Sequence, residues 1–136
     1  RFAEDGIKRD PQCRAKCAIV KALIDLERWD DEVFARGITC MQREPVWGGS
    51  EDSAAHVRGL CALGYAQLGH VDAVSIIADV LADAEHPARE AAARALGDSG
   101  RAEAVPLLRY KARVGDPHPA VNAAATSAFE TEGDEC

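Results

Sequence analysis

The stretch Asp83-Ala84-Glu85-His86-Pro87-Ala88-Arg89-Glu90-Ala91-Ala92-Ala93-Arg94-Ala95-Leu96-Gly97 decides the fold. Pro87 suits a first helical turn, where its missing N–H costs nothing. Ala88, Ala91, Ala92, Ala95 and Leu96 then recur at helical spacing, and Gly97 with Gly100 ends the helix. A second helix carries Ala104, Val105, Leu107, Leu108 and Ala112 to Val114, until Gly115-Asp116-Pro117-His118-Pro119 breaks it. The two make an antiparallel helical hairpin of about 30 residues, the usual size of a solenoid unit.

The hairpin echoes along the chain. Shifted by 31 residues, Val57-Arg58 falls on Ala88-Arg89, Gly69 on Gly100, and Ala73-Val74 on Ala104-Val105. Val57, Leu60, Cys61, Gly64 and Tyr65 form one face of the earlier unit, and Val71, Val74, Ile77, Ala78 and Leu81 the next. Downstream, Val121, Ala124, Ala125, Ala128 and Phe129 repeat the pattern at a shift of 33, which also aligns Asp83 with Asp116. Upstream, a shift of 44 lays Cys13-Arg14 and Cys17-Ala18 on Val57-Arg58 and Cys61-Ala62. Such self-similarity marks stacked helical hairpins.

The sequence thus predicts an all-α solenoid of seven helices, near residues 11–28, 31–43, 53–68, 71–82, 87–97, 102–114 and 119–130. Residues 1–136 read as one repeat domain whose first unit, 1–28, is half a hairpin with Phe2 to Ile7 as its remnant. A start at Arg1 without Met, an acidic tail from Glu130 to Cys136 and the missing half-hairpin are read as a segment of a longer array. The larger first shift exposes an inserted loop at 42–52, where Pro45 stops a helix and Gly48-Gly49 lets the chain turn. Insertions in repeat arrays collect on one side, often the binding side.

Composition narrows the function. The chain is 47% apolar but only 5% aromatic, which suits close helix-on-helix packing. A formal charge of −7 repels phosphate backbones, so no nucleic-acid partner is expected. No apolar run reaches membrane-spanning length, so no membrane is expected either. Five cysteines without paired spacing argue against a disulfide framework and for a reducing cytoplasm.

The pattern of Asp, then Val/Ala-Arg, then Ala-Ala, then Leu-Gly resembles HEAT repeats, above all the short alanine-rich kind named after phycobilisome lyases. It is clearest from Asp83 to Leu108 and covers most of residues 10–130. Arg14, Arg58 and Arg89 stand where that family has its helix-starting arginine, and Asp83 and Asp116 where it has the preceding aspartate. The resemblance implies a ladder of ion pairs joining neighbouring repeats. Asn122 departs from it where Arg is expected, as does Asp10, two residues too close to Arg14. Most members of the family are scaffolds. Its di-iron hydroxylases need His-Glu pairs, and none of His56, His70, His86 or His118 precedes Glu. Its DNA glycosylases need a basic groove, which the acidic charge opposes. No residue speaks for the chromophore of a bilin lyase.

Each remaining constellation has a plain reading beside a chemical one. Cys13, Cys17, Cys40 and Cys61 make four thiols, enough for zinc. Yet Cys17 and Cys61 fill the slot of Ala92 and Ala125, a small core position where free cysteine is at home. His86-Pro87 and His118-Pro119 read as helix entrances rather than ligands. Glu44, Glu51 and Asp52 lack a nucleophile, and Gly48-Gly49 is not a phosphate loop. Trp47 is either packed on the neighbouring hairpin or held out for a partner; packing is favoured, because an exposed Trp is uncommon. Trp29 and Tyr110 read as packing residues.

The helices that begin at Arg58 and Arg89 line the concave face in the family. Away from the core they offer Leu63, Ala66, Gln67, Glu90, Ala93, Arg94, Ala123, Thr126 and Ser127, a mildly apolar surface of mixed charge. The expected function is a non-enzymatic scaffold for a protein or peptide, without cofactor, bound through Gln42, Glu44, Trp47, Leu63, Gln67, Glu90, Arg94 and Ser127. The alternatives are an accessory domain of a lyase-type enzyme and a cysteine-based metal module.

Overall fold

The structure, a computed structural model, describes residues 10–134, and side chains as far as Thr131. Phe2 to Ile7 and Cys136 lie outside this range. Seven α-helices and one β-hairpin follow in order: α1 Arg14–Asp25, α2 Asp31–Gly37, β1 Arg43–Val46, β2 Gly49–Asp52, α3 Ala55–Gln67, α4 Ala73–Leu81, α5 His86–Asp98, α6 Ala104–Val114 and α7 Pro119–Asp134. Most bounds fall within a few residues of the periodic reading. Pro87 lies in the first turn of α5, as its missing donor requires. Asp30 caps α2 by accepting the Val33 amide at 3.1 Å.

Helices α1, α3, α5 and α7 stack in one row, with the closest packing between α3 and α5 and between α5 and α7. Helices α2, α4 and α6 form a second row: α2 rests on α3, α4 bridges α3 and α5, and α6 bridges α5 and α7. Between the rows lies the core of Phe34, Val57, Cys61, Ile77, Ala92, Leu96 and Leu108. Small residues set the spacing of the first row. A Cβ on Gly59 would come within 2.7 Å of the Ala91 Cβ, and one on Gly97 within 2.8 Å of the Ala128 Cβ. Backbones this close leave room for little beyond alanine, hence the alanine-rich, aromatic-poor composition.

The structure departs from the periodic pattern in three places. The helix expected over 31–43 ends at Gly37: Ile38 to Cys40 fold back in a turn closed by the Cys40 amide on the Gly37 carbonyl, 3.2 Å. The insertion is not a loop but a hairpin, with Arg43 opposite Asp52 and Val46 opposite Gly49. Trp47-Gly48 makes its two-residue turn, and Gly48 takes φ +88°, which a side chain would resist. Helix α1 begins late, because Gln12 and Cys13 adopt left-handed conformations before it.

The ladder is present and longer than the sequence reading allowed. Arg58 grips Asp83 with two hydrogen bonds of 2.7 and 2.9 Å, and Arg89 grips Asp116 with bonds of 2.8 and 3.0 Å. In Asp52-Arg58, Asp83-Arg89 and Asp116-Asn122 the partners share one spacing, and each aspartate also accepts the amide two residues on. Asp10-Lys16 keeps the spacing, with Asp10 accepting the Ala15 and Lys16 amides. The first unit therefore aligns at a shift of 42 rather than 44, and Lys16, not Arg14, holds the arginine slot. Arg14 instead turns to the side chain of Gln12 at 2.7 Å. Asn122 replaces charge with a double hydrogen bond to the Asp116 backbone, 2.7 and 2.8 Å.

Candidate interaction surfaces

Two surfaces stand out, one on the stacked row and one at the hairpin. On α3, His56, Leu60 and Leu63 recur at helical spacing and face the same side as Pro87, Glu90, Ala91 and Arg94 of α5. Together they line a shallow groove of about 260 Å³. A second groove of about 460 Å³ follows between α5 and α7, floored by Gly97, Ala124 and Ala128 and rimmed by Asp98 and Ser127. Glu90 and Arg94 belong to both grooves and form the ridge between them, joined by a 2.6 Å ion pair. Arg94 is exposed and Glu90 half-buried, and such a pair one helical turn apart contributes little stability.

The hairpin is rigid at its base and bare at its tip. Gln42, expected at the surface, is 7% exposed. Its side chain donates to the Asp10 carbonyl and accepts from Lys16, both at 2.9 Å, which makes it a structural brace. Glu44 is half-buried and accepts the Gln12 amide at 2.8 Å, the Gln42 amide group at 3.1 Å and the Ser53 hydroxyl. The Ser53 hydrogen bond is the main reason its carboxyl lies below the usual range; partial burial opposes it, and Gln42 and Gln12 assist. Asp52 ties the far strand to the stack, accepting the Gln42 amide at 3.0 Å and pairing with Arg58 at 2.6 Å. At the other end Trp47 is fully exposed, 104%, beside a half-exposed Val46. The packing favoured for it does not occur, because the two-residue turn carries the indole beyond every neighbouring helix.

Leu63, Glu90, Arg94 and Ser127 of the expected contact set meet along the two grooves, whereas Gln67 lies outside their linings. Ala93 is fully buried rather than outward-facing. Trp29 touches Phe34 with ring centroids 6.2 Å apart but remains 39% exposed, and Tyr110 is largely exposed, contrary to its reading as a packing residue. The ring pair of His86 and His118, stacked at 3.6 Å across successive helix entrances, was signalled by the repeated His-Pro. Asp52 and Lys16 join the ladder without standing at the family's motif positions; the recurring Asp-to-cation spacing is the signal that marks them in the sequence.

Chemistry at the other candidates is suppressed. Cys13, Cys40 and Cys61 are buried and Cys17 half-buried, all as free thiols. Burial pushes all four up, Cys61 to about 12, which disfavours the reactive thiolate. Among the described residues, no group of three or more His, Cys, Asp or Glu side chains is placed to hold a metal ion. No described helix is long and apolar enough to cross a membrane.

Two rows of antiparallel helices joined by an ion-pair ladder define an α-solenoid of helical repeats. Residues 48–130 match the family described as HEAT repeats, and the chain belongs to that family. No curated protein and no solved structure matches it.

Proposed function

We propose that this HEAT-repeat domain is a non-enzymatic scaffold of the short alanine-rich kind named after phycobilisome lyases, binding a protein or peptide in the cytoplasm. The observation that carries the reading is Trp47: a fully exposed indole on a hairpin braced at its base by Glu44, Gln42 and Asp52. Tryptophan anchors protein interfaces, and a rigid mount lowers the entropy lost on binding. The grooves beside Leu63, Glu90, Arg94 and Ser127 supply a second, mildly apolar area of mixed charge. Free thiols support a reducing compartment. The alanine-rich repeat supports the phycobilisome-lyase kind.

Cross-linked capture from cell extract tests the reading, with wild type, Trp47→Ala and Arg94→Glu as bait. Both side chains are exposed, so the variants should keep the wild-type melting temperature. At least one partner band should weaken strongly in one of them. Identical band patterns from all three baits would rule these surfaces out, and a captured enzyme would make the domain an accessory one.

A further inference from the structure

The early end of α2 has a consequence on the opposite side of the stack. Helices α2 and α4 both rest on α3, and between them a cavity of about 380 Å³ remains open, floored by Arg58 and Tyr65. Arg58 and Tyr65 lie one helical face away from Leu60 and Leu63, so this cavity is separate from the grooves described above. Its walls are Ile38 and Met41 on one side and Ile76 and Val80 on the other, and Met41 is more than half exposed.

Charge selects among occupants. The floor holds one guanidinium, Arg58, paired with the carboxylate of Asp83 at 2.7 Å. Asp79, exposed on α4, adds a second carboxylate at the rim, which no cation of the lining balances. Apolar walls thus enclose an excess of negative charge. A purely aliphatic side chain would strip water from Asp79 and return nothing, and an acidic one would be repelled. A long side chain with an aliphatic stem and a cationic head satisfies both features. We propose that the cavity between α2 and α4 docks a partner peptide that inserts an arginine or lysine, its stem against Ile38, Met41, Ile76 and Val80 and its head toward Asp79. Aliphatic residues flanking that cation would cover the exposed Met41.

Methyl NMR of the whole protein tests the proposal with an acetylated, amidated probe peptide of sequence Ala-Leu-Arg-Leu-Ala. Saturable shifts are expected at the methyl groups of Ile38, Met41 and Ile76, and none with the peptide carrying Glu in place of Arg. Asp79→Lys, a surface change whose fold circular dichroism would verify, should weaken binding by about tenfold or more, because like charges then meet at the rim. Three outcomes overturn the proposal: no shift at these methyls, equal shifts with both peptides, or unchanged binding in Asp79→Lys. Shifts confined to Leu60 and Leu63 would also overturn it, while leaving the grooves of the stacked row intact as a surface.

Discussion

Arg58 ties three separate segments of the fold together. It is 3% exposed and binds Asp52, Asp83 and the Cys40 carbonyl, so it joins the hairpin, the turn after α2 and the end of α4. Burial disfavours its charge, but the hydrogen bonds from its guanidinium to Asp83 and Asp52 outweigh that and raise its pKa. Removing the cation would strand the buried carboxylate of Asp52 and take from Asp83 its two guanidinium hydrogen bonds. Arg58→Ala should therefore cost about 3–5 kcal/mol in urea unfolding, the scale of breaking a buried ion pair from one side. A loss below about 1 kcal/mol would mean that water reaches these carboxylates in the fold. By contrast, Arg14, placed in the same slot by the repeat pattern, bonds its neighbour Gln12 among the described residues. A motif position is legible in sequence; the direction of the side chain is not, because left-handed Gln12 and Cys13 shift the helix start.

At the scale of elements, the helices were legible because each presents an apolar stripe of period 3.6 to one core. The hairpin was not, since Arg43 to Asp52 has neither a period-2 apolar face nor β-branched residues beyond Val46. Its pairing rests on the turn at Trp47-Gly48 and on hydrogen bonds to residues distant in sequence, such as Gln12 to Glu44. Helix contacts in the stacked row are equally exacting. Gly97→Val would drive a branched side chain into Ala128 and force α5 from α7, with an expected loss of about 1–3 kcal/mol for overpacking. Urea midpoints of the variant and wild type check this, and an unchanged midpoint would show that α7 yields without loss.

Across the whole molecule the ladder links units that otherwise touch only their neighbours. Asp83 and Asp116 are both below the usual carboxylate value of 3.8. Burial opposes their ionisation, but hydrogen bonds from Arg58 to Asp83, and from Arg89 and Lys111 to Asp116, prevail. Because the folded carboxyls titrate lower than the unfolded ones, the unfolded chain takes up more protons as the pH falls. Their stabilisation should be complete above about pH 5 and decline progressively as the pH drops through and below that unfolded value. Melting temperature measured from pH 7 to pH 3 should show this slope, flattened in Asp116→Asn; equal slopes for variant and wild type would exclude Asp116 from the acid response.

Periodicity alone was enough for the helical repeat and for Cys61 in the slot of Ala92, and the resemblance to HEAT repeats implied the pairing of Arg with Asp. The repeat and the cysteine slot follow from local spacing, and a stripe of small apolar residues has one stable use in stacked helices. Tertiary structure decided the rest: that Gln42 is buried, that Trp47 is bare, and that α2 stops early enough to leave a cavity over Arg58. Each of these depends on which distant surface reaches the residue, and that distance is settled only when the two rows close on one another.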